Sequence, residues 1–135
     1  MAFENAEELY KIFAITVDKI KNDKALNDKL SNLGMTLQLK VPNIDAIITI
    51  ECKGDLVASF GPSSIQPDTT TINNDDIFVK FWQGKLNLMI AITKGQVKTQ
   101  GAITKTLKLL PAINPVYKMF AQALKEGGRE DLVIK

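Results

Sequence analysis

The side chains that could do chemistry are few, and the densest group is Asn73-Asn74-Asp75-Asp76, followed by Lys80. Adjacent carboxylates beside a lysine could serve a small enzyme in general acid–base catalysis. They could also hold a metal ion, but the spacing does not match an EF-hand loop and no second carboxylate cluster lies nearby in the sequence. The structural alternative is helix capping, because such side chains bind the free N–H groups at a helix start and suit the helix dipole. We favour capping and expect no metal site.

The other reactive groups of proteins are nearly absent. The sequence has no histidine, and Cys52 is its single cysteine. The usual general base, the Ser-His and Cys-His pairs and the commonest metal ligand are therefore missing. One cysteine forms neither an intrachain disulfide nor a thiolate metal site, and Cys52 falls within a predicted buried strand. Since no nucleophile elbow, P-loop or dinucleotide fingerprint occurs either, we predict a protein without catalysis and without a cofactor.

Length, composition and charge limit the class of protein further. The 135 residues suffice for one domain with a single core, and 45% hydrophobic with 24% charged residues is ordinary for a globular protein. A net charge of +2 is too balanced to predict nucleic-acid binding, and no segment is polybasic enough to predict strong membrane attraction. No apolar run approaches the roughly 20 residues of a membrane span, and the first residues lack a signal-peptide pattern. We therefore expect a soluble, cytoplasmic protein.

The elements that must position these side chains begin with two helices and three strands. Helical spacing predicts a helix over residues 5–21 and a shorter one that Asn22 or Asp23 caps and Gly34 ends. From Met35 the period changes to two, which predicts strands over residues 35–41, 45–52 and 56–60. Because their connections are short, we expect an antiparallel meander that is covered on one face.

The second half of the chain alternates loops, strands and apolar helices. We predict a loop over residues 61–68, strands over 69–72 and 96–100, and helices over 77–83, from Leu86 to Thr93, and over 103–110. The last of these should stop before Pro111, because proline pushes the preceding residue out of the helical region. Pro115 should open a terminal helix with Asn114 as its cap. Residues 129–135 are predicted to form a flexible tail on a single domain of residues 1–135.

A string of glycines and apolar residues in this half carries a resemblance to a known family. It comprises Asp76-Ile77, Phe81, Gly84-Lys85-Leu86, Ala91, Lys94-Gly95, Val97, Gly101 and Leu107-Lys108-Leu109-Leu110. This pattern resembles the sterol carrier protein-2 family of lipid-binding domains, and the whole chain fits the same order of elements. The resemblance implies an α+β fold with a five-stranded, mostly antiparallel sheet. It also implies that helices pack on one face of this sheet and that the two layers enclose an elongated apolar cavity.

The resemblance also implies a ligand class. Members of the family bind fatty acids, fatty acyl-CoA, phospholipids or sterols, and some promote transfer between membranes. Peroxisomal members from eukaryotes end in a Ser-Lys-Leu type signal, whereas this chain ends in Val133-Ile134-Lys135. We therefore expect an acyl lipid rather than a sterol. Many relatives are terminal modules of larger enzymes, so an accessory role beside a lipid-metabolising enzyme is an alternative.

The expected cavity lining consists of large apolar side chains on the helices of the second half. The candidates are Phe78, Phe81, Trp82, Met89, Ile92, Leu107, Leu110, Met119 and Phe120. Lys85 and Gln100 are the candidate partners of a lipid headgroup. Burial of apolar surface, at about 25 cal/mol per Å², would provide affinity with little selectivity. Lipid entry should require the C-terminal helix or the loop before it to move aside.

The expected partners follow from this reading. They are a hydrophobic lipid and, transiently, a membrane surface, with no nucleic acid, and the chain should be a monomer or a weak dimer. A different function on the same fold is a protein-interaction or dimerisation module with a filled core and an exposed apolar helix. The spacing of apolar residues does not separate the two, because a filled core and a cavity wall have the same periodicity.

Overall fold

A five-stranded mixed sheet is the frame of the computed structural model, which describes residues 1–135. The strands are β1 (Met35–Val41), β2 (Ala46–Cys52), β3 (Leu56–Phe60), β4 (Thr69–Ile72) and β5 (Lys98–Gly101). Their order in the sheet is β3-β2-β1-β4-β5. The β1–β4 pair is parallel and the other pairs are antiparallel. The predicted α+β fold, the meander of the first strands and the mostly antiparallel sheet are confirmed.

Six α-helices accompany the sheet. They are α1 (Ala6–Lys21), α2 (Lys24–Ser31), α3 (Asp75–Trp82), α4 (Leu88–Thr93), α5 (Ile103–Ile113) and α6 (Val116–Glu126). Short 3₁₀ turns occupy Pro42–Ile44 and Glu130–Leu132. The side chain of Asn5 accepts the N–H of Glu8 at the start of α1, and Asp23 accepts that of Leu26 at the start of α2. Of the two caps considered for α2, the structure selects Asp23.

The helices bury one face of the sheet. On β1 the alternate residues Met35, Leu37, Leu39 and Val41 belong to a continuous core of 28 buried apolar residues, which α1 and α6 complete. On the other face Gln38 donates from its amide nitrogen to the hydroxyl of Thr49, with the two atoms 3.2 Å apart. This alternation is the structural basis of the period of two in the sequence.

The loop over residues 61–68 carries the chain from β3 to β4, on the far side of β1. Asp68 fastens its end, since its carboxylate accepts the Thr36 N–H at 2.7 Å and the Lys105 ammonium at 3.2 Å. Gly101 lies against the same point with φ of 87°, and a Cβ there would clash with the carbonyl oxygen of Asp68. Glycine is therefore required where β5 turns into α5.

The prediction that the fifth helix ends before Pro111 is wrong. Helix α5 continues through Pro111 to Ile113, and Ala112 and Ile113 are each 3% exposed. A proline removes one backbone hydrogen bond and crowds the preceding turn, but burial of the next residues in the core outweighs that penalty. Asn114 consequently ends α5, and Pro115 occupies the cap position of α6 without a side-chain hydrogen bond. The predicted capping role of Asn114 is therefore also wrong.

Residues 129–135, predicted to be a flexible tail, are held against the rest of the chain. Arg129 donates to the carboxylate of Glu8 at 2.6 Å and to the carbonyl oxygen of Ala2 at 2.9 Å. The side chain of Gln83 donates to the Leu132 carbonyl at 3.0 Å and accepts the Ile134 N–H at 2.9 Å. These partners are distant in sequence, so no local pattern could have indicated them.

Candidate functional site

Asp75, the first candidate for acid–base chemistry, is a buried structural group. Its carboxylate accepts the backbone N–H of Ala2 at 2.7 Å, that of Phe3 at 2.9 Å and the Asn43 side-chain amide at 2.8 Å. Burial alone would raise its pKa, but the hydrogen bonds from Phe3, Asn43 and Ala2 outweigh burial and lower the pKa below its ordinary value. Asp75 therefore fixes the N-terminal segment to the start of α3.

The remaining members of the candidate acidic site do not join Asp75. Asp76 and Lys80 are exposed, and the carboxylate of Asp76 accepts the N–H of the neighbouring Ile77. No three Cys, Asp or Glu side chains cluster closely enough to hold a metal ion. Cys52 is 3% exposed, and burial raises the pKa of its thiol to about 11. The structure thus does not bring the candidate groups Asp75, Asp76, Lys80 and Cys52 together.

The candidate site is instead an apolar pocket between the sheet and helices α3, α4 and α5. Nine of its 12 lining residues are hydrophobic. They are Leu37, Leu39, Phe78, Phe81, Trp82, Leu88, Val97, Leu109 and Leu110, joined by Thr71, Asn73 and Thr106. The space open to the centre of a water-sized sphere is about 20 Å³. That is room for roughly one water molecule, so the pocket as it stands is a seam in the packing and not a lipid-sized cavity.

This seam divides the apolar interior into unequal parts. The large core lies on one side, and a separate cluster of Ile77, Leu88, Ala91 and Val97 lies on the other. Both parts contribute to the pocket wall: Leu37 and Leu109 come from the large core, and Leu88 and Val97 come from the small cluster. Helix α4, which carries half of the small cluster, packs sparsely against every other element. Phe81 and Leu110, which are partly buried, pack against both parts and connect them across the pocket.

Aromatic rings make the floor of the seam stiff. Phe13 meets Trp82 edge-on with ring centroids 5.2 Å apart, and it meets Phe78 at 5.8 Å. Phe120 lies 6.0 Å from Phe78 and 6.4 Å from Phe13. Edge-to-face contacts at such distances are favourable. We expect this side to stay fixed if the pocket widens, so that α4, which carries half of the small cluster, would be the part that moves.

The polar groups around the seam are already satisfied. The hydroxyl of Thr106 is hydrogen-bonded to that of Thr69, and the amide of Asn73 donates to the Asn74 carbonyl. No buried side-chain nitrogen or oxygen lacks a partner, and no charged side chain lines the pocket. The pocket can therefore take an apolar group but offers nothing to a buried charged one.

The structure places four of the nine predicted lining residues at the pocket and the others elsewhere. Phe78, Phe81, Trp82 and Leu110 line it. Phe120 is fully buried in the large core, and Met119 packs at its edge. Ile92 packs against the small cluster, while Met89 and Leu107 are 50% and 36% exposed. The residues that the sequence prediction missed are Leu37, Leu39, Thr71, Asn73, Leu88, Val97, Thr106 and Leu109.

The reason for these differences is the uniform hydrophobicity of α4. Its sequence, Leu88-Met89-Ile90-Ala91-Ile92-Thr93, has no polar face, so periodicity does not show which side is buried. In the structure Leu88 and Ala91 face inward, at a spacing of three residues. The two predicted headgroup partners are both exposed: Lys85 is outside the pocket, and Gln100 lines a polar groove beside the loop over residues 61–68.

Comparison with known proteins identifies the family of this chain. The model of the SCP-2 sterol transfer family matches residues 16–114. The chain belongs to this family. Membership indicates lipid binding or transfer in general terms. No curated protein sequence matches the chain. No helix of the structure is long and apolar enough to cross a membrane.

Solved structures show the same fold in proteins of different kinds. The sterol carrier protein domain 2 of Helicoverpa armigera is 22% identical, with a TM-score of 0.63 over 85% of this chain and 91% of that one. A ubiquinone synthesis protein, UbiJ-SCP2, is 17% identical, with a TM-score of 0.61 over 86% and 95%. The sec-alkylsulfatase Pisa1 from Pseudomonas sp. is 24% identical, with a TM-score of 0.57 over 64% of this chain. This chain spans 14% of that sulfatase's length, and at these identities the likeness concerns the fold alone.

Proposed function

We propose that this member of the SCP-2 sterol transfer family binds the acyl chain of a fatty acid, or of its CoA ester, without catalysing a reaction. The chain would lie between the sheet and helices α3 to α5. The observation that carries the proposal is the apolar seam between the large core and the small cluster. A ligand that enters there would separate the small cluster from the large core at Phe81 and Leu110, which pack against both.

Size makes opening a necessary part of this function. The seam admits roughly one water molecule, whereas an acyl chain needs a tunnel many times larger. Helix α4 has six residues and sparse packing, so its outward movement is the expected way to enlarge the space, whereas Leu109, Ala112 and Ile113 hold α5 in the large core. The ligand would replace the separated contacts with its own buried methylenes, each contributing about 0.8 kcal/mol. We therefore expect affinity to rise with chain length and to depend little on the headgroup.

The test is native mass spectrometry of the purified protein, followed by extraction of whatever dissociates. We expect a retained acyl lipid, or a mass shift when palmitate or palmitoyl-CoA is added. Leu88→Trp should fill the seam and reduce uptake at least tenfold, because Leu88 lines the pocket. Met89→Trp is the matched control on the same helix, and it should leave uptake unchanged because Met89 is 50% exposed. Circular dichroism should show that both variants remain folded.

Two results would count against this proposal. The first is a ligand-free mass that no fatty acid or CoA ester shifts. The second is equal uptake by both tryptophan variants, which would place the ligand elsewhere. The first result would favour the alternative of an interaction or dimerisation module with a filled core, for which the exposed apolar residues of α4 and α5 are the supporting observation.

A further inference from the structure

The charges of this protein are segregated along the chain. Residues 77–125, which we call the basic segment, contain eight lysines and no Asp, Glu or Arg. The rest of the chain contains nine basic and 15 acidic residues. The net charge of +2 is therefore the difference between +8 on the basic segment and −6 elsewhere. The basic segment includes nearly all of α3, together with α4, β5, α5 and most of α6.

These lysines are free to meet an external partner. Lys105 is the one lysine of the basic segment that forms an ion pair, with Asp68. Lys85, which precedes α4, Lys94, which ends it, and Lys108 on α5 are all exposed. No carboxylate oxygen lies within 4.0 Å of their ammonium groups, so they give this part of the surface a positive potential.

Exposed apolar side chains lie on the same two helices. On α4, Met89 and Ile90 are 50% and 52% exposed, and on α5, Ile103 and Leu107 are 37% and 36% exposed. They account for four of the eight large apolar side chains that the molecule exposes. Both helices contribute to the same region, since Leu88 and Ala91 of α4 belong to the small cluster and Leu110 of α5 packs against that cluster. Apolar side chains projecting beside unpaired lysines are the pattern of helices that lie in a membrane interface.

We propose that helices α4 and α5 form a docking surface for a bilayer that contains anionic phospholipids. Lys85, Lys94 and Lys108 would meet the headgroups, and Met89, Ile90 and Leu107 would enter the acyl boundary. A bilayer fits both features, since it offers diffuse negative charge above an apolar layer. This function goes beyond internal lipid binding and does not require it. If both hold, the membrane meets the two helices that cover the seam, so that docking and opening would involve the same part of the molecule.

The test is co-sedimentation of the full chain with phosphatidylcholine vesicles, prepared with and without phosphatidylserine. We expect binding to the phosphatidylserine vesicles that weakens as salt is raised, and little binding to phosphatidylcholine alone. One lysine near an anionic surface changes the partition coefficient by about fivefold. Lys94→Ala with Lys108→Ala should therefore reduce it about 25-fold. Lys11→Ala with Lys24→Ala removes the same charge from exposed sites outside the basic segment, and it should reduce binding much less.

A second variant tests insertion independently of charge. Trp82, the sole tryptophan, is 4% exposed, so Ile90→Trp adds an exposed reporter. Its emission should shift to shorter wavelength on phosphatidylserine vesicles and be quenched by brominated acyl chains. Val57→Trp, at an exposed position of β3, should show neither effect.

Several outcomes would overturn docking while leaving lipid binding intact. If the two double lysine variants lost vesicle binding equally, the binding would depend on the net charge of the protein and not on this surface. No binding to either vesicle would remove the bilayer as partner. If Lys94→Ala with Lys108→Ala instead converted a dimer to a monomer in sedimentation velocity, and vesicles were not bound, the surface would be a contact between two copies. Conversely, vesicle binding by a protein that takes up no acyl lipid in native mass spectrometry would retain docking and refute the internal site.

Discussion

The replacement Asp75→Asn distinguishes a structural carboxylate from a catalytic one. Asp75 accepts hydrogen bonds from Ala2, Phe3 and Asn43, and Phe3 is 1% exposed in the core. An asparagine keeps the shape, but it removes the charge. If its oxygen keeps the N–H groups of Ala2 and Phe3, its amide nitrogen faces the side-chain amide of Asn43, which is also a donor. Hydrogen bonds to a charged group are worth about 1.5–3 kcal/mol each, and the asparagine oxygen retains some of them. We expect the free energy of unfolding to fall by about 3 kcal/mol.

The loss of stability in Asp75→Asn should depend on pH in a defined direction. The pKa of Asp75 in the folded protein lies below its ordinary value of 3.8, because its hydrogen bonds outweigh the effect of burial. A carboxyl with a lowered pKa stabilises the fold fully above its unfolded-state pKa, and that contribution is lost as pH falls through the folded-state value. The difference between wild type and Asp75→Asn should be constant from neutral pH to about pH 5 and should shrink below about pH 4.

The measurement is urea unfolding at a series of pH values, followed by circular dichroism. The wild-type curve alone is not sufficient, since the pKa of Asp68 is also lowered, by the Thr36 N–H and the Lys105 ammonium. Subtracting wild type from the variant at each pH isolates Asp75. Asp76→Asn, at the exposed neighbour, is the control and should change stability by less than about 0.5 kcal/mol. Equal effects of the two replacements would refute the structural role, and loss of a measurable turnover with the fold intact would restore the enzymatic alternative.

Two further predictions concern the backbone at Gly101 and the thiol of Cys52. Gly101→Ala should lower the free energy of unfolding by about 2 kcal/mol or more, because φ is 87° and the added Cβ would clash with the Asp68 carbonyl. Gly54→Ala, at φ of 84° with no neighbouring atom, should cost less, and equal melting temperatures for both would contradict the role of the close approach. The thiol of Cys52 should resist a disulfide reagent in the native protein, because it is buried and its pKa is raised to about 11. Urea that unfolds the chain should expose the thiol and allow it to react with the reagent. Rapid labelling of the folded protein would contradict the burial.

Much of the fold is predictable here because it is encoded locally. The period of two over β1 and β2, the helical spacing in α1 and the cap Asp23 of α2 act over a few residues, and the structure retains all of them. Pro111 is an exception to this local encoding. A local rule ends a helix before Pro111, but the burial of Ala112 and Ile113 is a tertiary contribution that the rule does not contain.

The candidate site is less predictable because it depends on distant pairs. The role of Asp75 follows from partners 72 and 73 residues earlier in the chain, which changes a candidate catalytic group into an anchor for the N-terminus. The lining of the seam depends on which side of α4 faces inward. In an all-apolar helix, tertiary packing alone determines which side faces inward. In the structure Leu88 lines the pocket and Met89 does not.

The sequence by itself determined the class of fold, the absence of histidine chemistry, the family resemblance and the uneven distribution of charge. Each depends on composition or on the order of residues along the chain. Tertiary structure alone decided that the apolar interior is split by a seam, that the seam is closed to roughly the size of one water molecule, and that α4 and α5 expose apolar residues beside unpaired lysines. The physical reason is that burial is a property of neighbours in space, and a hydrophobic residue has the same local pattern whether it fills a core, lines a pocket or faces a membrane.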